Sequence, residues 1–459
     1  MKKRTIIWLR NDLRLSDNGA INYAYQNNCE ILFLYILDTH YKIGSASKWF
    51  LHQSLKSFKK DLKEKYNANL LIKSGNPKDI ITDIAKKYDI DSILWNRVYE
   101  PESIKRDSIL KADFRKNNLE VKSFNSSLLF EPTLIKNLSG SYFKVFTPFW
   151  KKCLSQINNI SSPHTIAESL NILKINKPDS LELDDLNLIP KNPNWAKDWD
   201  KLHKVGEIEA HNLADDFMKN KMHSYKEGRD FPAINKTSLL SPYLHFGLIS
   251  PKQIYFKSIG FFDNPGVNHF LSEIGWREFS YYLLYHFPEL PNKNFKNKFD
   301  NFTWDNNKIN LKKWQKGQTG FPLIDAGMRQ LWQTGLMHNR VRMVVASFLI
   351  KNLLIDWRIG QDWFWDCLID ADLAANSASW QWVAGSGADA SPYFRIFNPI
   401  TQSEKFDPQG EYIRKWVPEI AHLSDKEIHC PKNRNGYFEA MIDLKFSRNK
   451  ALSFYKTLS

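Results

Sequence analysis

The sequence predicts an α/β domain built on a doubly wound parallel sheet, followed by a larger all-helical domain. In the first 130 residues, short apolar runs alternate with amphipathic stretches, which is the pattern of parallel strands with helices between them. After residue 195, apolar residues recur every three to four positions and no segment has a convincing strand pattern. We therefore place the domains at 1–130 and 196–459, with a long linker rich in Pro, Ser and Asp at 131–195.

The strands of the first domain are predicted from its apolar runs. These are TIIWL (5–9), EILFLYIL (30–37), NLLIKSG (69–75), SILWN (92–96) and EVKSFN (120–125). Helices are predicted between strands, because Trp49, Leu55, Phe58, Leu62 and Tyr66 fit one helical face and because 76–88 and 103–117 are amphipathic. Parallel sheets of this kind bind ligands beyond the carboxyl ends of their strands.

The first strand runs into a charged loop, RNDLRLSDN (10–18), instead of a glycine-rich turn. No G-x-G-x-x-G follows that strand and no Walker sequence occurs in the chain. A nicotinamide-dependent dehydrogenase and a P-loop enzyme are therefore disfavoured.

The second domain is predicted to be helical to its end. Three- to four-residue spacing of apolar side chains marks helices within 206–222, 268–287, 321–333 and 338–355. With 459 residues and 42% hydrophobic content, the chain can bury a large core, and most of its 16 tryptophans are expected there.

Charge and composition restrict the function classes. The net charge of +14 favours a polyanionic partner, although an AT-rich genome also inflates Lys and Asn. Four cysteines lie far apart without paired histidines, which disfavours disulfides and a zinc site, so we expect no metal. The N-terminal apolar stretch is too short for a signal peptide and no run approaches membrane-spanning length, so we expect a cytoplasmic protein that does not engage membranes.

Two helices carry polar residues on faces that could bind a ligand. Asn339, Arg342 and Met343 share one side of the 338–355 helix, with Arg340 about 100° away from Asn339. Buried arginines need an anion or another acceptor. Either a ligand or a structural salt bridge to a neighbouring aspartate would provide one. On the 268–287 helix, Glu273 shares a face with Trp276 and Arg277, and an ordinary ion pair between Glu273 and Arg277 is the simpler interpretation.

Two further stretches have a structural and a functional interpretation. Trp380 and Trp382 point about 200° apart on a helix, so one ring could line a cavity while the other packs inside, but core filling is the commoner reason for such a pair. The hydroxyls of Thr237, Ser238 and Ser241 precede a predicted helix, where they could hold phosphate or simply cap the helix.

Taken together, the long stretches of the chain resemble the photolyase/cryptochrome family. They occur in the family's order: WLRNDLRLSDN (8–18), 227–251, FLSEIGWREF (270–279), 314–358, LIDADLAANSASWQW (368–382) and 391–419. The resemblance covers essentially the whole chain and is strongest to bacterial class I cyclobutane pyrimidine dimer photolyases. It implies a Rossmann-like antenna-binding domain, a long linker and a helical domain that holds FAD. It also implies a monomer that acts on UV-damaged DNA.

The resemblance assigns a role to individual positions. It implies that FAD is bound by Tyr225, Thr237, Ser238, Leu239, Leu240, Ser241, Phe270, Arg342, Asp370, Ala371, Asp372 and Asn376. It implies that the damaged DNA is bound by Arg229, Glu273, Trp276, Arg277, Asn339, Arg340, Met343, Trp382, Arg395 and Gln402. Glu273 and Asn339 would hydrogen-bond the dimer, with Glu273 protonated, and Trp276 and Trp382 would form the walls around it. An electron relay would comprise Trp380, Trp357 and Trp304.

The implied activity is light-driven splitting of pyrimidine dimers by electron transfer from excited, reduced FAD. The alternative is a cryptochrome-type blue-light receptor without repair activity. Asn339 stands where (6-4) photolyases carry a histidine, and Asn376 is the residue usual in repair enzymes, so repair is favoured. An antenna chromophore, methenyltetrahydrofolate or a deazaflavin, is expected near Asn96 and Glu100, although Pro291 replaces a cysteine common in folate-binding relatives.

Overall fold

A parallel sheet forms the N-terminal part of the protein. The computed structural model describes residues 2–175, 179–390, 394–432 and 436–458, so 391–393, in the last of the family-like stretches, lies outside the described residues. The strands are β1 (Arg4–Leu9), β2 (Glu30–Leu37), β3 (Leu70–Ser74), β4 (Ser92–Asn96), β5 (Glu120–Phe124) and β6 (Asn171–Ile172). Their order is β3-β2-β1-β4-β5, with β6 beside β2, and every pairing is parallel.

Four helices cover the two faces of this sheet, which confirms the predicted doubly wound α/β class. They are α1 (Gly19–Gln26), α2 (Ser45–Tyr66), α3 (Pro77–Lys87) and α4 (Pro101–Lys116). Because both faces are covered, the central strands are apolar throughout; residues 5–9 of β1 are all buried. The sequence prediction missed α1, which is short and begins where the Asn18 side chain accepts from the Ile21 N–H.

The segment predicted as a surface linker contains packed structure. Helix α5 (Phe146–Leu154) buries Phe149, Trp150 and Cys153, and β6 adds a strand to the sheet edge. The segment between the domains therefore includes a nine-residue helix with an apolar face, which the loss of strand–helix alternation after residue 130 did not predict.

The rest of the described chain is helical, as predicted, with no strand after β6 in the part that the structure describes. Its helices are α6 (Trp199–Leu202), α7 (Glu207–Asp216), α8 (Tyr225–Gly228), α9 (Ser241–His245), α10 (Pro251–Ile259), α11 (Pro265–His286), α12 (Lys308–Gln315), α13 (Pro322–Thr334), α14 (Asn339–Ser347), α15 (Trp357–Cys367), α16 (Leu373–Ala384), α17 (Pro399–Phe406), α18 (Glu411–Trp416) and α19 (Leu444–Lys456). π-helical turns at Phe217–Lys221 and Phe348–Asn352 follow α7 and α14. Short 3₁₀ turns occur at Pro132–Leu134, Ile157–Asn159, Leu183–Leu186, Met222–Ser224, Asn297–Asn301 and Pro418–Ile420.

The helical part packs directly on the sheet. One apolar core runs from one sheet face through α2 into α9, α10 and α11, and the Phe50 ring stacks on Phe246 at 5.4 Å. The start of α2 is fixed to the end of α15, because Asp366 accepts hydrogen bonds from the Ser45 N–H (3.0 Å) and hydroxyl (2.6 Å). A Cβ on Gly44 would lie 1.8 Å from the Trp365 carbonyl oxygen, so this contact requires glycine.

Among the described residues, none of the helices is both long enough and apolar enough to cross a bilayer. No group of three or more His, Cys, Asp or Glu side chains that could hold a metal ion occurs in the same residues.

Candidate functional site

A buried aspartate between α15 and α16 organises the centre of the helical domain. Arg342, on α14, donates from Nη2 to both carboxylate oxygens of Asp370 at 3.0 and 3.1 Å, and its Nε donates to the Met337 carbonyl at 2.8 Å. The Ser241 hydroxyl donates to the same carboxylate at 2.6 Å. The structure thus brings together three of the predicted cofactor residues, from α9, α14 and the turn before α16.

Asp372 forms a second polar centre at the start of α16. As the N-cap, it accepts from the Ala375 N–H at 2.8 Å, and it also accepts from the Tyr281 hydroxyl and lies 3.4 Å from His245 Nδ1. Burial alone would raise the pKa of Asp372, but the hydrogen bond and charge of His245 and the charge of Arg277 hold it at about 2. Asp372 is therefore a buried anion at neutral pH.

The neighbouring residues on α15 and α16 supply small side chains and an unpaired acceptor. Asn376 donates to the Gln361 carbonyl at 3.1 Å, while the buried Oε1 of Gln361 has no protein partner. Ala371 and Ala374 are buried, and the Ser377 hydroxyl is buried without a partner. Such orphaned polar atoms in a native interior need a partner, which a bound molecule or a water could supply.

The loop before α9 has the backbone of an anion site. Leu239 adopts a φ of +56°, a strained value for a branched side chain, and is 44% exposed. Leu240 follows with φ −84° and ψ −7°, and such a left-handed to right-handed succession turns consecutive N–H groups toward one side. In the same loop, Thr237 and Ser238 are half-buried and Ser241 is exposed. The five positions predicted to bind FAD, 237–241, therefore form one loop with an unusual backbone turn at Leu239.

The two aromatic residues predicted at the cofactor lie in a ring cluster. The Tyr225 and Phe270 rings are 5.8 Å apart, and both contact Phe217, at 5.3 and 4.6 Å. Tyr225 and Phe270 are 7% and 3% exposed, so they join α8 to α11 as part of the core.

The ion pair between Glu273 and Arg277, the structural alternative suggested by their spacing, does not form. Glu273 forms an ion pair with Arg229, at the end of α8, and not with Arg277. Arg277 instead donates to the Ser127 carbonyl at 2.7 Å and lies over the Tyr281 ring at 4.8 Å. Its side chain is 13% exposed, and the DNA-phosphate contact expected of Arg277 stays a prediction.

The arginines of α14 pair with aspartates, the structural alternative recognised in the sequence. Arg340 bonds Asp230 at 2.8 Å and lies over the Phe406 ring at 4.3 Å. Asn339, the first residue of α14, is exposed, and Met343 is half-buried. The exposed amide of Asn339 is therefore accessible to a ligand. It precedes Arg340, whose partner Asp230 follows Arg229 in the chain.

His338 belongs to this site and was missed by the sequence analysis. Its Nδ1 accepts the Arg340 N–H at 3.2 Å, which leaves the proton of the neutral ring on Nε2, and Nε2 is buried without a partner. Burial, assisted by the charges of Arg342 and Arg340 and opposed by that of Asp230, lowers the pKa of His338 to about 4. The only sequence signal was its place just before a helix.

The two tryptophans of α16 face different surroundings, as their spacing predicted. Trp380 is 2% exposed, whereas Trp382 is half-buried. Trp276, on α11, is also half-buried, and one face of its indole is covered by Phe146 at a centroid distance of 3.9 Å. Arg395 is exposed with its guanidinium 5.2 Å from the Phe397 ring, and Gln402 lies half-buried on α17.

The predicted relay residues share one hydrophobic core. Trp380 and Trp357 are buried, and Trp304 is partly buried against the same core. Trp357 donates from its indole N–H to Asn294 at 3.0 Å. Of the three rings, two are therefore interior and Trp304 is partly exposed, and the relay stays a prediction.

A cavity lies between the sheet and the helical domain, at the carboxyl ends of β1, β2 and β4. Its volume is about 740 Å³, open mouth included, and Glu100, Arg106 and His245 line it. Asn96 does not line it, because its amide donates to Asp12 (2.6 Å) and Asn18 (2.8 Å) in the interior. Of the two predicted antenna residues, the structure places only Glu100 at the cavity.

A pair of parallel tryptophans was also missed. Trp332, on α13, and Trp363, on α15, have ring centroids 6.0 Å apart and planes within 1°. Trp332 is 58% exposed and the Trp363 indole N–H is buried without a partner. Their separation of 31 positions gives no local pattern that a single sequence could reveal.

Comparisons with known proteins identify relatives over the whole chain. A family model described as the FAD binding domain of DNA photolyase matches residues 270–457, and one described as DNA photolyase matches residues 5–168. A deoxyribodipyrimidine photo-lyase of Agrobacterium fabrum is 46% identical over 93% of this chain and 89% of its own length. Cryptochrome-2 of Arabidopsis thaliana is 35% identical over 94% of this chain and 73% of its own length.

A solved structure matches the complete fold. The crystal structure of a bacterial class III photolyase from Agrobacterium tumefaciens gives a TM-score of 0.96 at 44% identity, covering 100% of this chain and 98% of that one. This match does not support the class I assignment made from the sequence. The sequence stretches that identify the family do not distinguish class I from class III photolyases.

Proposed function

This chain belongs to the photolyase/cryptochrome family, and from that premise we propose that it is a class III photolyase that splits cyclobutane pyrimidine dimers in DNA under blue light. Its FAD-binding domain makes it a flavoprotein. The observation that supports repair most directly is that α11 carries a half-buried Trp276 beside Glu273, while α14 begins with an exposed Asn339 next to the unpaired His338.

The residues present fit FAD. The strained loop at 237–241 offers converging N–H groups and hydroxyls to phosphates, and the unpaired Gln361 Oε1 and His338 Nε2–H offer one acceptor and one donor. The Arg342–Asp370 ion pair would offer the cofactor one positive and one negative group in fixed positions. In this proposal Asp372 and Asn376 would help to hold the flavin ring. Bound reduced FAD would supply the light-excited electron donor.

The remaining site residues would bind and orient the lesion. A dimer already stacks poorly, so extruding it costs only a few kcal/mol, and stacking on Trp276 and Trp382 offsets this by about 1 to 3 kcal/mol per base. The Asn339 amide would donate to a thymine carbonyl. Glu273 is ion-paired with Arg229, and we propose that it hydrogen-bonds the imide edge of the dimer.

The buried walls serve the reaction by excluding water from the reacting pair. Trp380, Trp357 and Trp304 would carry electrons from the surface inward when the enzyme must be reactivated. Indole suits this relay because it can be oxidised without carrying a charge in its resting state. The relay is separate from the repair step.

The proposed function is tested by illuminating reduced protein with a dimer-containing oligonucleotide. We expect recovery of the pyrimidine absorbance under blue light and none in darkness. Trp304→Phe serves as a matched variant, since it should repair normally when reduced beforehand. Flavin-loaded, reduced protein that binds the dimer and leaves it intact under light would instead support the receptor function of its cryptochrome relatives.

We further propose that an antenna chromophore, methenyltetrahydrofolate or a deazaflavin, occupies the cavity that Glu100 lines. Rings of Trp8, Tyr35 and Tyr41 line it beside Arg106, which suits a flat molecule with anionic groups. A near-ultraviolet absorption band beyond that of flavin, lost in Glu100→Gln, would support this site. A band retained in Glu100→Gln but lost in Trp363→Ala would place the chromophore at the Trp332–Trp363 pair instead.

A further inference from the structure

We propose that Phe146, on the linker helix α5, is a positioning residue for the damaged base pair. It backs one face of the Trp276 indole, so that the opposite face is held ready to stack on an extruded pyrimidine. This inference rests on the proposed function. It gives the segment between the domains a part in recognising the lesion.

Three aromatic rings form one continuous stack at this point. The Phe146 and Trp276 rings lie 3.9 Å apart with 9° between their planes, and Phe146 and Trp150 lie 6.4 Å apart with 13° between theirs. Trp150 fits directly against α11, because a Cβ on Gly275 would lie 2.7 Å from its ring. A base on the free face of Trp276 would become the fourth member of this stack.

The geometry of α11 shows which face of Trp276 is free. Gly275 and Phe279 point toward α5, where they meet Trp150 and Phe146. Trp276 lies about 100° around the helix from Gly275, and Glu273 lies about 60° further in the same direction. Phe146 therefore covers the side of the indole toward α5, and the other side is turned toward Glu273.

Phe146 is itself held in place by a hydrogen bond outside α11 and by the packing of α5 on α11. Its N–H donates to the Asp389 carboxylate at 3.2 Å, beyond the end of α16. One turn later, Phe149 packs 5.1 Å from Phe279 and 4.9 Å from Tyr282. A fixed backing ring lowers the ordering cost that Trp276 would otherwise incur on binding.

The experiment measures dissociation constants in darkness for a dimer-containing oligonucleotide and for its undamaged counterpart. We expect Phe146→Leu to weaken dimer binding about three- to tenfold, the range of an aromatic pair, and to leave binding of undamaged DNA and flavin content unchanged. Phe146→Tyr should restore wild-type affinity. Phe262→Leu, an exposed ring away from α5, is the control and should bind both as the wild type does.

A double variant separates positioning from general stability. If Phe146 acts through Trp276, Phe146→Leu should add nothing to the loss already caused by Trp276→Ala. An additional loss of the same size in that background would overturn the inference, as would unchanged or tighter dimer binding by Phe146→Leu, or equal losses in the Leu and Tyr variants. A wild-type protein with no preference for the dimer would contradict the proposed function itself.

Discussion

At the residue scale, two adjacent side chains on α11 connect the lesion region to the segment that leaves the sheet. Arg277 donates to the Ser127 carbonyl at 2.7 Å. Glu278 accepts from the N–H groups of Leu129 (2.9 Å) and Phe130 (3.2 Å). Both side chains are buried or nearly so, and losing either would leave an unpaired polar group in the interior. They therefore fix the helix that carries Glu273 and Trp276.

Glu278 should give the protein a pH-dependent stability. Burial raises its pKa to about 7 from an ordinary 4.5, although Arg277 and the two N–H groups oppose the shift. The folded state thus binds more protons than the unfolded state between these values, so stability falls as pH rises from about 4.5 to 7. In Glu278→Gln this fall should shrink by up to about 3 kcal/mol. Denaturant unfolding at pH 5 and pH 7 measures it, and an unaltered pH dependence would contradict it.

Single residues could be predicted from sequence only where their partners were close or their chemistry was demanding. Arg342 carries a charge into an apolar helix, so a buried acidic partner was foreseeable, and Asp370 is that partner. Glu273 and Arg277 have the spacing of a helical ion pair, but tertiary partners at Arg229 and Ser127 compete successfully for both. No local rule reveals those partners.

At the element scale, the packing of α15 on α16 depends on a glycine. Gly360 lies in the middle of α15, and a Cβ there would be 2.2 Å from the Trp380 ring and 2.6 Å from Leu349. Glycine in a helix interior costs roughly 0.5 to 1 kcal/mol relative to alanine. Here that cost allows the indole to lie directly against the backbone of the neighbouring helix.

Gly360→Ala should therefore disturb both stability and the relay. We expect the free energy of unfolding to fall by about 1 to 3 kcal/mol from overpacking, and flavin photoreduction to slow as Trp380 shifts. Thermal unfolding and photoreduction rates test this. Gly260→Ala is the matched control, since a Cβ there meets nothing within 4 Å. Trp304→Phe should slow photoreduction without the loss of stability; a Gly360→Ala protein that behaves as the wild type would refute the packing argument.

The strands could be predicted from the sequence, whereas helices α5 and α1 could not. The strands were foreseeable because a parallel sheet covered on both faces needs continuous apolar runs, as in β2. Helix α5 was not, because its apolar residues make contacts with α11, over a hundred positions away, and the surrounding Pro- and Ser-rich sequence masks them. Helix α1 spans only eight residues, too short for a clear periodic pattern.

At the scale of the whole molecule, the excess of positive charge is the property most directly suited to DNA. The net charge is +14, yet Arg229, Arg340 and Arg342 are already paired with carboxylates in the site. Arg395 is exposed, and its backbone carbonyl is held by the buried Lys351 ammonium. Arg395 is therefore more accessible to a DNA phosphate than these three ion-paired arginines.

Arg395→Ala should weaken DNA binding uniformly and reduce its dependence on salt. Each neutralised phosphate contributes about one to the slope of log K against log salt concentration, because bound counterions are released. We expect the slope to fall by about one for damaged and undamaged oligonucleotides alike, leaving the preference for the dimer intact. Arg115→Ala, an exposed arginine of α4 in the first domain, is the matched control. A loss confined to the dimer, with the slope unchanged, would mean that Arg395 contacts the lesion and not the phosphate backbone.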